Sequence, residues 1–254
     1  MVDRHTDDPL AEVERFRQLF SMPDLPDLPR FTGGLVGYFG YDTVRYVESR
    51  LAKSQPTDEL GTPDILLMAS DEVAIFDNLS GTLMLVVHVD AKQADGLEQA
   101  NARLDELQRK LDKPAPQLHD TSDVAEKLSE EDFKSSFGEQ AFLESVDKIK
   151  DYIMAGDAMQ VVPSQRLSAP FTASPLNLYR SLRRLNPSPY MFFLNLDDFH
   201  IVGSSPEVLA RLEDGQVTVR PIAGTRRRGK TAEEDIALEQ DMLDDPKEIA
   251  EHLM

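Results

Sequence analysis

Tyr190-Met191-Phe192-Phe193-Leu194-Asn195-Leu196-Asp197-Asp198-Phe199-His200-Ile201-Val202-Gly203 decides the fold class. The apolar runs Tyr190 to Leu196 and His200 to Gly203 flank Asp197-Asp198 and so read as a β-hairpin. Just downstream, Val208 to Leu212 and Gln216 to Arg220 flank Asp214-Gly215, a stronger turn signal because Asp-Gly accepts the positive φ angles of a tight hairpin turn. Upstream, Val73 to Asp77 and Leu83 to Val89 flank Asn78-Leu79-Ser80-Gly81, and Ile65 to Ser70 reads as a further strand. Strands that arrive as hairpins, instead of alternating one by one with helices, predict antiparallel sheets with helices packed outside. The expected class is α+β and not doubly wound.

The helices follow from apolar spacing. Leu10, Val13, Phe16 and Phe20 predict a short amphipathic helix from Asp8-Pro9 to Phe20, ended by the proline-rich Met22 to Pro29. Leu97, Ala100, Leu104, Leu107 and Leu111 predict a helix over Asp90 to Asp112 that packs on one face. Phe142, Val146, Ile149 and Ile153 predict another, stopped at Gly156. Ser174-Pro175 makes an N-cap and first-turn pair for a helix through Leu185, closed by Asn186-Pro187. Met159 to Leu167 is strand-like, and Pro163, which has no N–H to donate, confines it to an edge or a bulge. Gly33 to Asp42 has neither G-x-G-x-x-G nor Walker spacing, so its glycines serve tight strand packing, a bulge or a pocket wall, not a nucleotide. The polar run Lys113 to Lys134 marks a boundary, giving lobes over 1–115 and 137–254 with 116–136 as linker.

Composition removes several function classes. The 254 residues are 41% hydrophobic with no long apolar run, enough for a core and too little for a membrane span. Charged residues from Asp3 to Arg17 leave no apolar signal region, and with no cysteine a cytoplasmic location is expected. The same absence excludes disulfides, thiolate catalysis and cysteine-bound zinc. A net charge of −19 argues against non-specific nucleic-acid binding. His5, His88, His119, His200 and His252 lack metal-ligand spacing, and Ser204-Ser205 lacks the G-x-S-x-G elbow.

Chemistry concentrates near the C-terminus. In Arg220-Pro221-Ile222-Ala223-Gly224-Thr225-Arg226-Arg227-Arg228-Gly229 a strand runs into a glycine-bracketed basic turn, either an anion site or a solvated surface turn. Thr231 with Glu234, and Asp245-Pro246-Lys247-Glu248, predict two capping boxes. The second starts a helix that places Glu248 and Glu251 on one face, where two carboxylates repel unless a cation intervenes. Oxygen-only ligands suit Mg²⁺; the alternative is that Glu248 caps the helix and Glu251 is solvated.

Six strings occur in order: Gly33-Gly34-Leu35-Val36-Gly37-Tyr38, Gln160-Val161-Val162-Pro163-Ser164-Gln165-Arg166, Asn186-Pro187-Ser188-Pro189-Tyr190-Met191, Gly203-Ser204-Ser205-Pro206-Glu207, Pro221-Ile222-Ala223-Gly224-Thr225-Arg226 and Glu248-Ile249-Ala250-Glu251-His252. Together they resemble the chorismate-utilising enzymes, and within them the large subunits of anthranilate synthases, over nearly the whole chain from Asp8. The resemblance implies half of that family's β-sandwich fold. It also implies Mg²⁺-dependent conversion of chorismate and ammonia to anthranilate and pyruvate, the first step of tryptophan synthesis, with ammonia from a partner glutamine amidotransferase subunit. By position it implies that Gly224 and Thr225 contact chorismate, that Glu251 ligates Mg²⁺ with Glu248 beside it, and that Pro189, Tyr190 and Met191 belong to an L-tryptophan feedback site.

Two positions separate the relatives. Those that add water at C2 resemble this chain but carry a lysine base where Gln160 stands, and Gln160 has no basic nitrogen with which to deprotonate water. Aminodeoxychorismate synthases, the alternative reading, place a nucleophilic lysine where Ala223 stands. A catalytically silent chorismate- or tryptophan-binding module is the other alternative. The family also begins upstream with a Leu-Leu-Glu-Ser motif and continues past Met254 to a catalytic histidine, which His252 is not, and a second metal-binding glutamate. The resemblance therefore implies an internal fragment, expected to be inactive alone and to self-associate through exposed sheet edges and core.

Overall fold

The computed structural model describes residues 5–22, 25, 28–54, 56–114, 128–220 and 224–254. The chain forms two compact units, Met1–Leu118 and His119–Met254.

In the first unit, helix α1 (Pro9–Arg17) opens with proline in its first turn and Asp8 as cap, whose carboxylate accepts the Ala11 N–H at 2.9 Å. It ends before Phe20 because Leu19 and Phe20 bond three residues back, to Phe16 and Arg17, and so tighten the last turn. Strand β1 (Gly34–Phe39) is followed by the short α2 (Val44–Val47), then by β2 (Ile65–Ser70), β3 (Glu72–Asp77) and β4 (Thr82–Val87). β1 pairs antiparallel with β2, Gly34 opposite Ser70 and Phe39 opposite Ile65. β3 pairs with β4 across a turn fixed by Asp77, which accepts the Leu79 N–H at 2.9 Å and the Ser80 hydroxyl at 2.7 Å. His88 joins the two ribbons: its N–H donates to the Asp71 carbonyl at 2.8 Å, and its ring Nε2 lies 2.7 Å from the carbonyl oxygen of buried Thr32. Gly37 serves strand packing, since a Cβ there would overlap the Leu66 carbonyl oxygen.

Helix α3 (Gly96–Leu111) packs on β4, where Leu104 and Leu111 face Leu83 and Leu85 across a groove. It begins later than the apolar spacing suggests. Asp90 uses its carboxylate for the Lys92 N–H and its carbonyl for the Gln93 N–H, both at 3.0 Å, so residues 90–95 form turns.

In the second unit, β5 (Lys134–Ser135) precedes α4 (Glu139–Ala155), which Gly156 closes in the left-handed region at φ 81°. Then come β6 (Leu167–Ser168), α5 (Pro175–Leu185), β7 (Tyr190–Asn195), β8 (His200–Ser205), β9 (Arg211–Glu213), β10 (Gln216–Thr218), α6 (Ala232–Asp244) and α7 (Pro246–Leu253). The strand expected over Met159 to Leu167 is reduced to Leu167–Ser168, paired with β5. Pro163 offers no ladder donor. The last backbone bond toward it is Ser136 N–H to the Arg166 carbonyl at 2.9 Å, beside the side-chain bonds Ser135 Oγ to Gln165 at 2.6 Å and Arg166 N–H to Ser136 Oγ at 3.2 Å.

Both predicted hairpins of this unit are present. β7 and β8 pair with Tyr190 opposite Ser205 and Asn195 opposite His200, and Asp197 turns the chain at φ 73°. β9 and β10 are shorter than the apolar runs and meet at Asp214 and Gly215, both with positive φ. α5 covers the first hairpin, with the Tyr179 and Phe193 ring centroids 6.0 Å apart.

The class is therefore mixed helix and antiparallel strand, as the hairpins predict. Among the described residues every strand pairs with one partner only, so each ribbon keeps open edges. Ala100 and Leu196 are the buried apolar side chains among them, while Tyr41, Leu79 and Leu209 are almost fully exposed. No described helix is long and apolar enough to cross a membrane.

Candidate functional site

The C-terminal corner is built by charge. Thr231 caps α6 by accepting the Glu234 N–H at 3.2 Å, but the predicted box closes on a neighbour: the Glu234 carboxylate takes the Lys230 N–H at 2.7 Å and Arg227 at 2.6 Å. Arg228 pairs with Asp235 at 2.6 Å, and the same carboxylate accepts the Gly229 N–H at 2.7 Å. The anions nearest the basic turn are thus the chain's own acids.

Arg226 is the most enclosed of the three arginines, its side chain 25% exposed against 64% for Arg227 and 90% for Arg228. Its Nε donates to Asp241 and its Nη2 to Asp245, each at 2.7 Å, and its Nη1 lies 3.5 Å from Glu248. Asp241 and Asp245 raise the pKa of the guanidinium and keep it charged. Asp245 also caps α7, accepting the Lys247 N–H at 2.9 Å through its other oxygen. That N–H first, and Arg226 second, hold the Asp245 carboxyl below the usual aspartate range.

Glu248 is the third residue of α7. Its carboxylate takes the direction of Arg226 and Gly224, where a Cβ on the glycine would overlap it, so close approach requires glycine there. Its Oε1 faces the guanidinium, while Oε2 is buried with no hydrogen-bond partner among the described residues. Thr225 is exposed. Glu251, on the next turn, is half-buried, and His252 is exposed. Among the described residues no three His, Asp or Glu side chains are arranged to hold a metal.

A second cluster joins motifs that the sequence presents separately. Tyr190 and Met191 stand opposite Ser205 and Ser204 in the β7–β8 ladder. The Ser204 hydroxyl donates to the Asn186 carbonyl at 2.8 Å, Ser188 donates to the Ser205 carbonyl, and Ser205 donates to the Glu207 carbonyl at 3.0 Å. Pro189 is exposed at the mouth of this hairpin. Gly203 faces Phe192, whose ring fills the space a Cβ would need.

Gln160 lies exposed in an irregular segment between α4 and β6, and Ala223 lies outside the described residues. Asp241, and the second role of the cap Asp245 as a partner of Arg226, were missed from sequence. Their signal is the spacing of Asp241, Asp245 and Glu248 at four and three residues, one side of a helical register pointing at a cation.

Comparison with known proteins gives a consistent result. The profile of the chorismate binding enzyme family matches residues 2–254. Anthranilate synthase component 1 of Pseudomonas aeruginosa is 57% identical over 247 residues, covering 97% of this chain and 50% of that protein. The protein of the same name from Neisseria meningitidis serogroup B is 56% identical, covering 100% of this chain and 51% of its own length. The solved structure of anthranilate synthase component I from Streptococcus pneumoniae superposes with a TM-score of 0.75 at 35% identity, covering 100% of this chain and 53% of that one. The chain spans about half the length of the curated relatives it matches.

Proposed function

From the chain's membership of the chorismate binding enzyme family, we propose that it contributes to an anthranilate synthase large subunit in tryptophan synthesis. In this reading chorismate and ammonia give anthranilate and pyruvate. The ammonia lone pair forms the bond to C2 as the C4 hydroxyl leaves as water, and loss of the enolpyruvyl group as pyruvate follows with aromatisation. Ammonia comes from glutamine through a partner amidotransferase subunit, in the cytoplasm. The two lobes, 1–115 and 137–254 with 116–136 between them, form half of a β-sandwich fold.

The observation that carries the reading is the contact of Gly224 with Glu248, which brings the proposed substrate motif onto the proposed metal motif. Gly224 and Thr225 then contact chorismate, with the glycine allowing a carboxylate to approach the backbone. The residues suit a hard cation: Glu248 carries a buried carboxylate oxygen without a partner among the described residues, and the chain has no cysteine to favour a softer metal. Glu251 would hold Mg²⁺ with Glu248 beside it, and the bound ion would supply Lewis-acid polarisation of the substrate. Gln160 and Ala223 set the reaction type by what they lack, a base for water and a lysine nucleophile, so ammonia attacks directly. Pro189, Tyr190 and Met191 line the tryptophan feedback site, which the serine hydroxyls behind them hold in shape.

The test is to incubate the product of the complete reading frame with chorismate, ammonium and Mg²⁺, with and without tryptophan, and to identify products by mass spectrometry. Anthranilate with equimolar pyruvate, suppressed by tryptophan, is expected. Aminodeoxychorismate without pyruvate would replace this reading with the folate-branch one.

A further inference from the structure

We infer that Arg226 is a positioning residue: it fastens the α6–α7 corner and sets Glu248 against Gly224, so that one Glu248 oxygen is neutralised and the other is left for a cation. The functional part of this inference rests on the reading above.

The argument begins with repulsion. Asp241, Asp244, Asp245, Glu248 and Glu251 fall within one short acidic run, and on or beside helices such neighbours push apart. Arg226 spends its three kinds of donor nitrogen on three of them: Nε on Asp241, Nη2 on Asp245, Nη1 facing Glu248 at 3.5 Å. A planar guanidinium presents these donors in a fixed fork, which an ammonium does not. Two of these side-chain contacts also tie the turn to both helices. Asp241 belongs to α6, and Asp245 is the cap of α7, gripping Arg226 with Oδ2 and the Lys247 N–H with Oδ1. The turn therefore fixes where α7 starts, and with it the third residue of that helix, Glu248.

The division of labour within Glu248 follows. Its side chain is 13% exposed, and a charge so enclosed needs compensation. Arg226 compensates Oε1 at a long 3.5 Å, while Oε2 has no hydrogen-bond partner among the described residues. Arg227 and Arg228 have no part in this, since their pairs run to Glu234 and Asp235 at the opposite end of α6. Of the three basic residues in the turn, Arg226 alone is wired to α7 among the described residues.

Such supporting partners typically change metal affinity about 10- to 100-fold when removed. The test uses the product of the complete reading frame in four forms, wild type, Arg226→Gln, Glu248→Gln and the double variant, with Arg228→Gln as control. Mg²⁺ affinity is read by titration calorimetry, and exchange protection of the α7 amides is read without metal. Arg226→Gln should weaken Mg²⁺ about tenfold or more and deprotect Lys247 to Ile249. In the Glu248→Gln background it should add less than about twofold to the loss, because it acts through that residue. Arg228→Gln should match wild type in both readouts. Arg226→Lys, which keeps charge without the fork, should recover part of the affinity and decides the matter if Arg226→Gln does not fold. Unchanged affinity and protection in Arg226→Gln, or fully additive losses in the double variant, would overturn the inference. A wild type that binds no Mg²⁺ would sink the metal assignment, while the exchange arm would still decide whether Arg226 holds the corner.

Discussion

Two glycines, one in each unit, sit where a side chain has no room, and they are blocked by different things. At Gly37 the obstacle is the Leu66 carbonyl oxygen, part of the β2 backbone. At Gly224 it is the Glu248 carboxylate, the far end of a rotatable side chain. A backbone held in a ladder yields only if the strands part, whereas a carboxylate yields by rotating away. The β1–β2 ribbon therefore uses its glycine for folding, and the turn before α6 uses its glycine to place a charge. Close packing alone does not mark a functional residue; the identity of the neighbour does.

This difference is sharpest in the largest expected effect. Gly37→Ala should destabilise the first unit by about 2–3 kcal/mol in urea denaturation, toward the upper end of what overpacking costs. A loss below about 0.5 kcal/mol would show that the ribbon gives way as easily as the turn. Gly224→Ala should do the reverse, changing stability by less than about 1 kcal/mol while weakening Mg²⁺ binding about tenfold, as the displaced Glu248 loses its place beside Arg226. Equal damage to stability and binding would remove the distinction between the two sites.

Acid should separate the same regions. The Asp245 carboxyl is held below its ordinary value of 3.8 by the Lys247 N–H and then by Arg226. A carboxyl depressed on folding contributes stability that is fully present above its unfolded pKa and disappears as pH falls through the lower folded one. Arg226 stays charged throughout, and Asp241 and Glu248 face the same guanidinium. As pH falls below 3.8 and through the lower folded value, the α7 amides should accordingly lose exchange protection. The β1–β2 amides, paired backbone to backbone over Gly34–Phe39 and Ile65–Ser70, should keep theirs across that window. Simultaneous loss in both would place the acid-labile group elsewhere.

The fold class was legible because hairpins carry their own signal. Asp214-Gly215 and Asp197-Asp198 mark turns whose positive φ values the structure contains, and Gly156 ends its helix as its position predicts. Segments that failed did so through local competition. Asp90 draws two nearby N–H groups into a turn and delays α3, and Pro163 leaves Met159 to Gln165 without a ladder. At the corner, the helix of Glu248 and Glu251 was readable from Asp245-Pro246. The partner of Glu248 was not, because Arg226 lies 22 residues earlier and a return of the chain has no periodicity. The capping boxes misled for a related reason: Glu234 and Glu248 have the right spacing, but nearby arginines and a free Lys230 N–H offer charged or unpaired donors that outcompete the cap's own N–H.

The smallest effect tests whether enclosure, and not charge count, gives Arg226 its role. Arg226 and Arg228 stand two residues apart, and both make ion pairs of 2.6–2.7 Å. Arg228 is 90% exposed, so water and salt screen its pair with Asp235, and holding a long side chain in place costs rotamer freedom. The gain nearly cancels, and Arg228→Gln should change stability by less than about 0.5 kcal/mol. Raising ionic strength from 0.1 M to 1 M shortens the screening length from about 10 Å to about 3 Å, so it should erase even that difference between Arg228→Gln and wild type. It should leave most of the Arg226→Gln deficit in α7 protection, because that guanidinium is flanked by Asp245 and the 13% exposed Glu248. If high salt abolished both deficits alike, the corner would be held by surface electrostatics, and its contrast with the ribbon would be one of degree.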